Sequence, residues 1–111
     1  RLDDELAYVK KVMLLKIDVE CYELLALSGA KKLLQRTEAV YFEKCDSSYS
    51  RYGYAFKDIF DFFEDAGFCI YKIGEHLELE KVKRNYISLS GYENLLAVRE
   101  THIAAVRGRL R

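Results

Sequence analysis

Three carboxylates in the first half of the chain have residue types and spacing that suit catalysis. Asp18 and Glu20 follow a continuous apolar run, and Glu43 ends a second apolar run. Ligands of open α/β sheets bind outside the carboxyl ends of the strands. If the two runs are neighbouring strands, the three carboxylates lie at one rim of the sheet, where a ligand would bind.

Carboxylates at such a rim have two chemical uses. One of them can accept the proton of a hydroxyl that becomes a nucleophile. A pair can instead hold a divalent cation that polarises the same hydroxyl. A purely structural interpretation stays open, in which Glu20 and Glu43 are solvated strand ends and Asp18 accepts N–H bonds from the following turn. Lys16 shares a strand face with Asp18 and is a weaker candidate, because it could pair with a nearby carboxylate.

The hydrophobic pattern predicts the elements that position these residues. We predict helices at 2–11, 23–35 with a break at Ser28-Gly29, 55–66 and 100–110, and strands at 12–19, 39–43, 68–73, 77–82 and 94–98. Early alternation of strands and helices predicts an α/β fold with a mostly parallel sheet of at least three parallel strands. The closing run of strands predicts an antiparallel edge, and the charges of the segment 77–82 make it the expected short edge strand. Gly67 predicts a left-handed stop after the third helix.

Composition and charge narrow the classes of function. Lys plus Arg and Asp plus Glu number 18 each, so no net field draws the chain to nucleic acid or to a membrane surface. No apolar run approaches the roughly 20 residues of a membrane span. The charged start lacks the pattern of a signal peptide, which predicts a cytoplasmic location. Cys21, Cys45 and Cys69 form no C-x-x-C pair, so we predict three reduced, mostly buried thiols and no zinc site.

Several short segments, taken in order, resemble the FkbM-type S-adenosylmethionine-dependent methyltransferases. The signature-like segment is Lys16-Ile17-Asp18-Val19-Glu20. The other segments are Leu2-Asp3, Leu27-Ser28-Gly29-Ala30, Val40-Tyr41-Phe42-Glu43, Gly53-Tyr54, Asp58-Ile59, Ala66-Gly67-Phe68 and Glu93-Asn94-Leu95-Leu96-Ala97-Val98. The resemblance implies a Rossmann-like methyltransferase fold, of which residues 1–99 are the C-terminal half and residues 100–111 a basic helical tail.

The resemblance also implies an activity and roles for the three carboxylates. The activity is transfer of a methyl group from S-adenosylmethionine to a hydroxyl oxygen of a small molecule or glycan. Asp18 is the first candidate for a catalytic or acceptor-positioning role, Glu20 the second and Glu43 the third. The need for a divalent metal stays open.

Two departures from the family pattern bear on that activity. Cys21 stands where the family has Gly, and no Gly-rich turn follows a strand anywhere in the chain. The half that holds the cofactor is therefore expected upstream of Arg1, so no cofactor-binding residue is named. This chain alone is expected to be inactive.

A rival interpretation is a non-catalytic, truncated methyltransferase-like module that acts in protein association. The start at Arg1 rather than Met favours a fragment. A missing front half would leave one side of the first strand exposed, and an exposed apolar edge favours homodimers or aggregation. Nucleic-acid binding through Arg107, Arg109 and Arg111 is a third class, and a solvated helix end is the expected role of these residues.

Overall fold

The computed structural model describes residues 2–5, 7–8, 10–17, 23–45, 53, 55–86 and 92–102. The helices are α1 (Leu2–Glu5), α2 (Glu23–Ser28), α3 (Lys31–Leu34) and α4 (Phe56–Asp65), and a 3-10 turn spans Glu100–His102. The strands are β1 (Val12–Ile17), β2 (Thr37–Cys45), β3 (Phe68–Ile73), β4 (Leu79–Lys81) and β5 (Tyr92–Arg99). These strands form one sheet in the order β1-β2-β5-β3-β4.

Strand direction in this sheet confirms one prediction and corrects another. β1 pairs with β2 in parallel, and β5 is antiparallel to both β2 and β3. The strands β1, β2 and β3 therefore run the same way, as predicted. The predicted antiparallel edge strand is confirmed by β4, which pairs antiparallel with β3 and ends the sheet. The prediction of a mostly parallel sheet is wrong, because β5 lies inside the sheet and is antiparallel to both of its neighbours.

The burial of β5 explains its central position. Leu95 to Val98 are four consecutive residues and all are buried, so both faces of the strand are covered. A strand that buries both faces gains most inside a sheet, where neighbours also satisfy both of its backbone edges. The edge goes to β4, which has only three residues, of which Glu80 and Lys81 are exposed. Short, charged strands suit an edge.

One face of the sheet holds the main core, under α2, α3 and α4. The apolar side chains Phe56, Ile59 and Phe63 lie on one face of α4 and are buried. The ring centroid of Phe63 lies 5.1 Å from that of Phe42 and 5.7 Å from that of Phe68. Burying a side chain of this size contributes on the order of 1.5–3 kcal/mol to the free energy of unfolding. The apolar contacts of α4 therefore stabilise the packing of the helices on this face.

Helix ends follow the local chemistry. The Asp58 carboxylate accepts a hydrogen bond from the Ala55 backbone N–H at 2.8 Å, which satisfies a donor at the start of α4. Gly67 has φ +88°, the left-handed conformation predicted for the stop after this helix. The break between α2 and α3 falls at residues 29–30, close to the predicted position.

Among the described residues beyond Glu5, the predicted first helix is wrong, because residues 7–8 form a turn and residues 10–11 have no regular structure. The Val12 N–H donates to the Arg36 carbonyl at 2.8 Å, beside the start of the pairing of β1 with β2. Residues 18–19 of the predicted first strand and 103–110 of the predicted last helix lie outside the described residues. The second strand is longer than predicted because β2 pairs with β5 out to Cys45.

The exposed side of β1 agrees with the expectation from sequence. Met13 is 52% exposed and Leu14 is 59% exposed, although both lie in a strand. Among the described residues, β1 has only β2 as a neighbour in the sheet. The strand therefore presents apolar side chains and one free backbone edge at the end of the sheet.

Replacing Asp3 tests the contact that ties α1 to the rest of the fold. Its two carboxylate oxygens accept hydrogen bonds from the N–H groups of Lys32 and Leu33, at 3.1 and 2.8 Å. We expect Asp3→Ala to lower the free energy of unfolding by about 1 kcal/mol, because the start of α3 loses its cap. Urea denaturation measures the change. Asp4→Ala, on the exposed neighbour, is the control, and an equal loss in both variants would contradict the capping role.

Candidate functional site

The carboxyl ends of β1 and β2 are the predicted site, and the structure describes one of its three carboxylates. Asp18 and Glu20 lie outside the described residues, as does Cys21. The last described residue of β1, Ile17, is buried and pairs with Phe42. Glu43 follows Phe42 in β2 and is half-buried.

Glu43 has polar neighbours on its own face of the sheet. In the register of β2 with β5 it lies opposite Asn94, whose side chain is exposed. Lys16 of β1 pairs with Tyr41, which precedes Glu43 by two residues and so shares its face. A carboxylate, an amide and an ammonium group thus lie on one face near this end of the sheet, a set that can hold and orient a hydroxyl.

The opposite face of the same strand end carries a fully buried lysine that sequence analysis did not single out. Lys44 has no exposed surface. Its Nζ lies 5.0 Å from the ring centroid of Phe56 and 5.5 Å from that of Tyr86. A desolvated ammonium against two aromatic faces gains cation–π attraction of roughly 2 kcal/mol or more. The period of two that puts Val40 and Phe42 in the core could have identified Lys44, because it is the next residue in that phase.

Tyr86 connects this lysine to a carboxylate. Its hydroxyl donates a short hydrogen bond to the Glu93 carboxylate. Glu93 lies directly opposite Lys44 in the register of β2 with β5. Lys72 adds a second cation, with its Nζ 5.6 Å from the Tyr86 ring centroid. The resulting cluster combines cations, aromatic rings and a carboxylate beneath the start of α4.

An ion pair holds the segment that carries Tyr86 against α4. The Arg84 guanidinium donates from Nε and Nη2 to the two oxygens of Asp61, at 2.8 and 3.0 Å. This hydrogen bonding keeps the pKa of Asp61 below its usual range and raises that of Arg84. The paired geometry fixes both distance and orientation.

The thiol of Cys69 has a carboxylate as its hydrogen-bond partner. Cys69 is half-buried, and its Sγ donates to a Glu100 carboxylate oxygen at 3.3 Å. Burial, followed by this hydrogen bond, raises the pKa of the Cys69 thiol, which disfavours the reactive thiolate. Within the described ranges, no group of three His, Cys, Asp or Glu side chains could hold a metal ion.

Comparison with known proteins identifies the family of this α/β chain. The sequence model of the Methyltransferase FkbM domain matches residues 1–70, which is more than half of the chain and includes Asp18, Glu20 and Glu43. The chain belongs to the FkbM methyltransferase domain family, as its sequence resemblance implied. No curated protein and no solved structure gives a significant match. In the part of the chain that is described, no helix has the length and apolar character needed to cross a membrane.

Removing the Tyr86 hydroxyl tests the polar cluster. We expect Tyr86→Phe to lower the free energy of unfolding by about 1.5–3 kcal/mol, because the part-buried Glu93 carboxylate loses a hydrogen-bond donor. Chemical denaturation gives the value. Tyr8→Phe removes a hydroxyl from a side chain that is 80% exposed and should leave stability unchanged. If both variants have the same free energy of unfolding, the hydrogen bond from Tyr86 to Glu93 does not stabilise the fold.

Proposed function

We propose that residues 1–99 form the acceptor-side, C-terminal half of an S-adenosylmethionine-dependent O-methyltransferase, followed by a helical tail at 100–111. The main support is the family match over residues 1–70, which covers the segment with Asp18, Glu20 and Glu43. The sheet adds support for a Rossmann-like arrangement, because three strands that run the same way are joined through helices. The acceptor we propose is a hydroxyl of a small molecule or glycan in the cytoplasm.

In this proposal the carboxyl rim of β1 and β2 aligns the acceptor. Asp18 takes the hydroxyl proton as the new oxygen–carbon bond forms, which makes the oxygen a stronger nucleophile. Glu20 and Glu43 orient the acceptor through hydrogen bonds, and Lys16 can balance their charge. Fixing the hydroxyl in line with the methyl group supplies much of the rate enhancement in a reaction of this type.

The cofactor side of the site is proposed to lie in other polypeptide. S-adenosylmethionine, when bound, would supply a methyl group on a sulfonium, whose carbon–sulfur bond would break as the methyl group is transferred, leaving a neutral thioether. Two of the described glycines have local roles that do not fit a cofactor cradle: Gly67 ends a helix, and a side chain on Gly74 would meet that of Glu78 within its own hairpin turn. The exposed Met13 and Leu14 of β1 favour docking of further strands there.

Calorimetric titration with S-adenosylmethionine tests this division. We expect the 111-residue chain to give no saturable binding, because the residues that would hold the cofactor lie elsewhere. A polypeptide that continues upstream of Arg1 should bind it and transfer a labelled methyl group to hydroxyl compounds. In that protein, Asp18→Asn should lower kcat by roughly 10²- to 10⁴-fold, the usual contribution of a proton acceptor.

Glu43→Gln should raise KM for the acceptor more than it lowers kcat, because Glu43 orients the acceptor in the ground state as well. Glu64→Gln, on the exposed surface of α4, is the matched control and should change neither constant. Clear one-to-one binding of the cofactor by the short chain, or full activity of Asp18→Asn, would contradict the proposal.

The exposed edge of β1 favours a second candidate function, protein association without catalysis. Two chains could pair through this edge and cover Met13 and Leu14, forming a homodimer. We expect Leu14→Lys to shift the chain toward monomer in analytical ultracentrifugation, because a charge opposes burial of the edge. Leu77→Lys is the control, since Leu77 is also 50% exposed but lies away from β1. A monomeric parent chain would remove this candidate.

A further inference from the structure

A second polar pocket lies at the opposite end of the sheet from the three carboxylates. β1 and β2 run the same way, so their first residues, Val12 and Thr37, lie together and away from Glu43. A pocket of about 290 Å³ opens beside these strand starts. Its charged lining residues are Lys10, Lys11, Arg36, Glu38 and Arg99. Four cations surround one carboxylate, so the pocket is strongly positive although the whole chain is neutral.

Two of the four cations are engaged in the fold. Lys11 Nζ lies 3.1 Å from the buried Glu38 carboxylate. Arg99 donates to the carbonyl oxygens of Thr37, at 3.1 Å, Ala66, at 3.2 Å, and Leu34. Its guanidinium also lies 4.5 Å from the ring centroid of Phe68. These contacts fix the side chains of Lys11 and Arg99 within the fold. Lys10 and Arg36 are the remaining cations that could bind a ligand.

Arg36 supplies the observation that points to a ligand. Its Nε is buried and has no hydrogen-bond partner among the described residues. Buried donors are nearly always paired, because an unpaired donor loses its hydrogen bond to water and gains no other. Lys10, which lines the same pocket, is exposed and makes no ion pair within the described part of the chain. An unpaired guanidinium donor and a nearby ammonium are complementary to a bound anion.

We propose that this pocket binds the phosphate group of a small ligand, held by Arg36 and Lys10. The planar fork of an arginine matches two oxygens of a phosphate, and a lysine adds a point charge. The volume is near the lower end of small-molecule pockets, so a phosphate with a small organic group fits. The site is separate from the carboxylate rim, so it takes a different ligand from the methyl acceptor and does not depend on the proposed function.

Calorimetry with two probes tests the site and distinguishes a phosphate ester from free phosphate as its ligand. Inorganic phosphate and methyl phosphate are titrated into the 111-residue chain at constant ionic strength. We expect saturable one-to-one binding, tighter for methyl phosphate if the natural ligand is a phosphate ester and equal or weaker if it is free phosphate. Arg36→Met should weaken binding at least about tenfold, since it removes a charge-assisted pair of hydrogen bonds. Lys83→Gln removes an exposed cation elsewhere and should leave binding unchanged.

Thermal unfolding provides an independent readout that a structural role for Arg36 would not produce. Without phosphate, Arg36→Met should unfold at the same temperature as the parent chain or a higher one, because it deletes a buried unpaired donor. With phosphate, only the parent chain should gain stability.

Three outcomes with phosphate and Arg36→Met would overturn the proposal. They are the absence of saturable binding, unchanged binding by Arg36→Met, and a lower unfolding temperature of Arg36→Met in phosphate-free buffer. Salt-sensitive binding of a single-stranded oligonucleotide that exceeds binding of methyl phosphate would reassign the site to nucleic acid and would also reject it.

Discussion

Burial of both faces of β5 is the constraint on which the described structure depends. Each residue from Leu95 to Val98 is buried, and the strand pairs with β2 over seven residue pairs and with β3 on its other side. A chain segment with this pattern is stable only with a neighbour on each edge and a layer over each face. β5 therefore joins the β1–β2 pair to the β3–β4 hairpin, which would otherwise be separate.

This pairing also decides which side chains meet at the ends of the sheet. The register between β2 and β5 brings Glu93 opposite Lys44 and Asn94 opposite Glu43, although these residues are about 50 positions apart in the chain. A shift of one residue would turn Lys44 out of the core and Glu43 into it. The register of β5 with β2 therefore determines which residues meet both in the polar cluster and on the proposed acceptor face.

Two buried or half-buried cations, Lys44 and Arg99, show two ways of compensating positive charge in this fold. Lys44 lies against the rings of Phe56 and Tyr86, and Arg99 donates to backbone carbonyl oxygens. Charges removed from water are tolerated only with such partners. Arg36 differs, because its buried Nε has none among the described residues. The unpaired Nε of Arg36, rather than the number of positive charges, therefore marks this pocket as suited to a ligand.

The local sequence pattern was enough to predict the helices and strands between residues 23 and 73, the end of the helix at Gly67 and the family. These features depend on helix periodicity, apolar runs and turn residues, which involve residues close together in the sequence. The phase of Val40 and Phe42 could also have revealed Lys44 as a buried lysine. Strand order could be derived only in part. The charges of the segment at 77–82 predict an edge strand, but competition for the centre of the sheet, which only the tertiary structure shows, places the apolar run at 94–98 inside. The pairing of Tyr86 with Glu93 and the unpaired Nε of Arg36 were decided by tertiary structure alone, because they depend on contacts between residues that no local pattern relates.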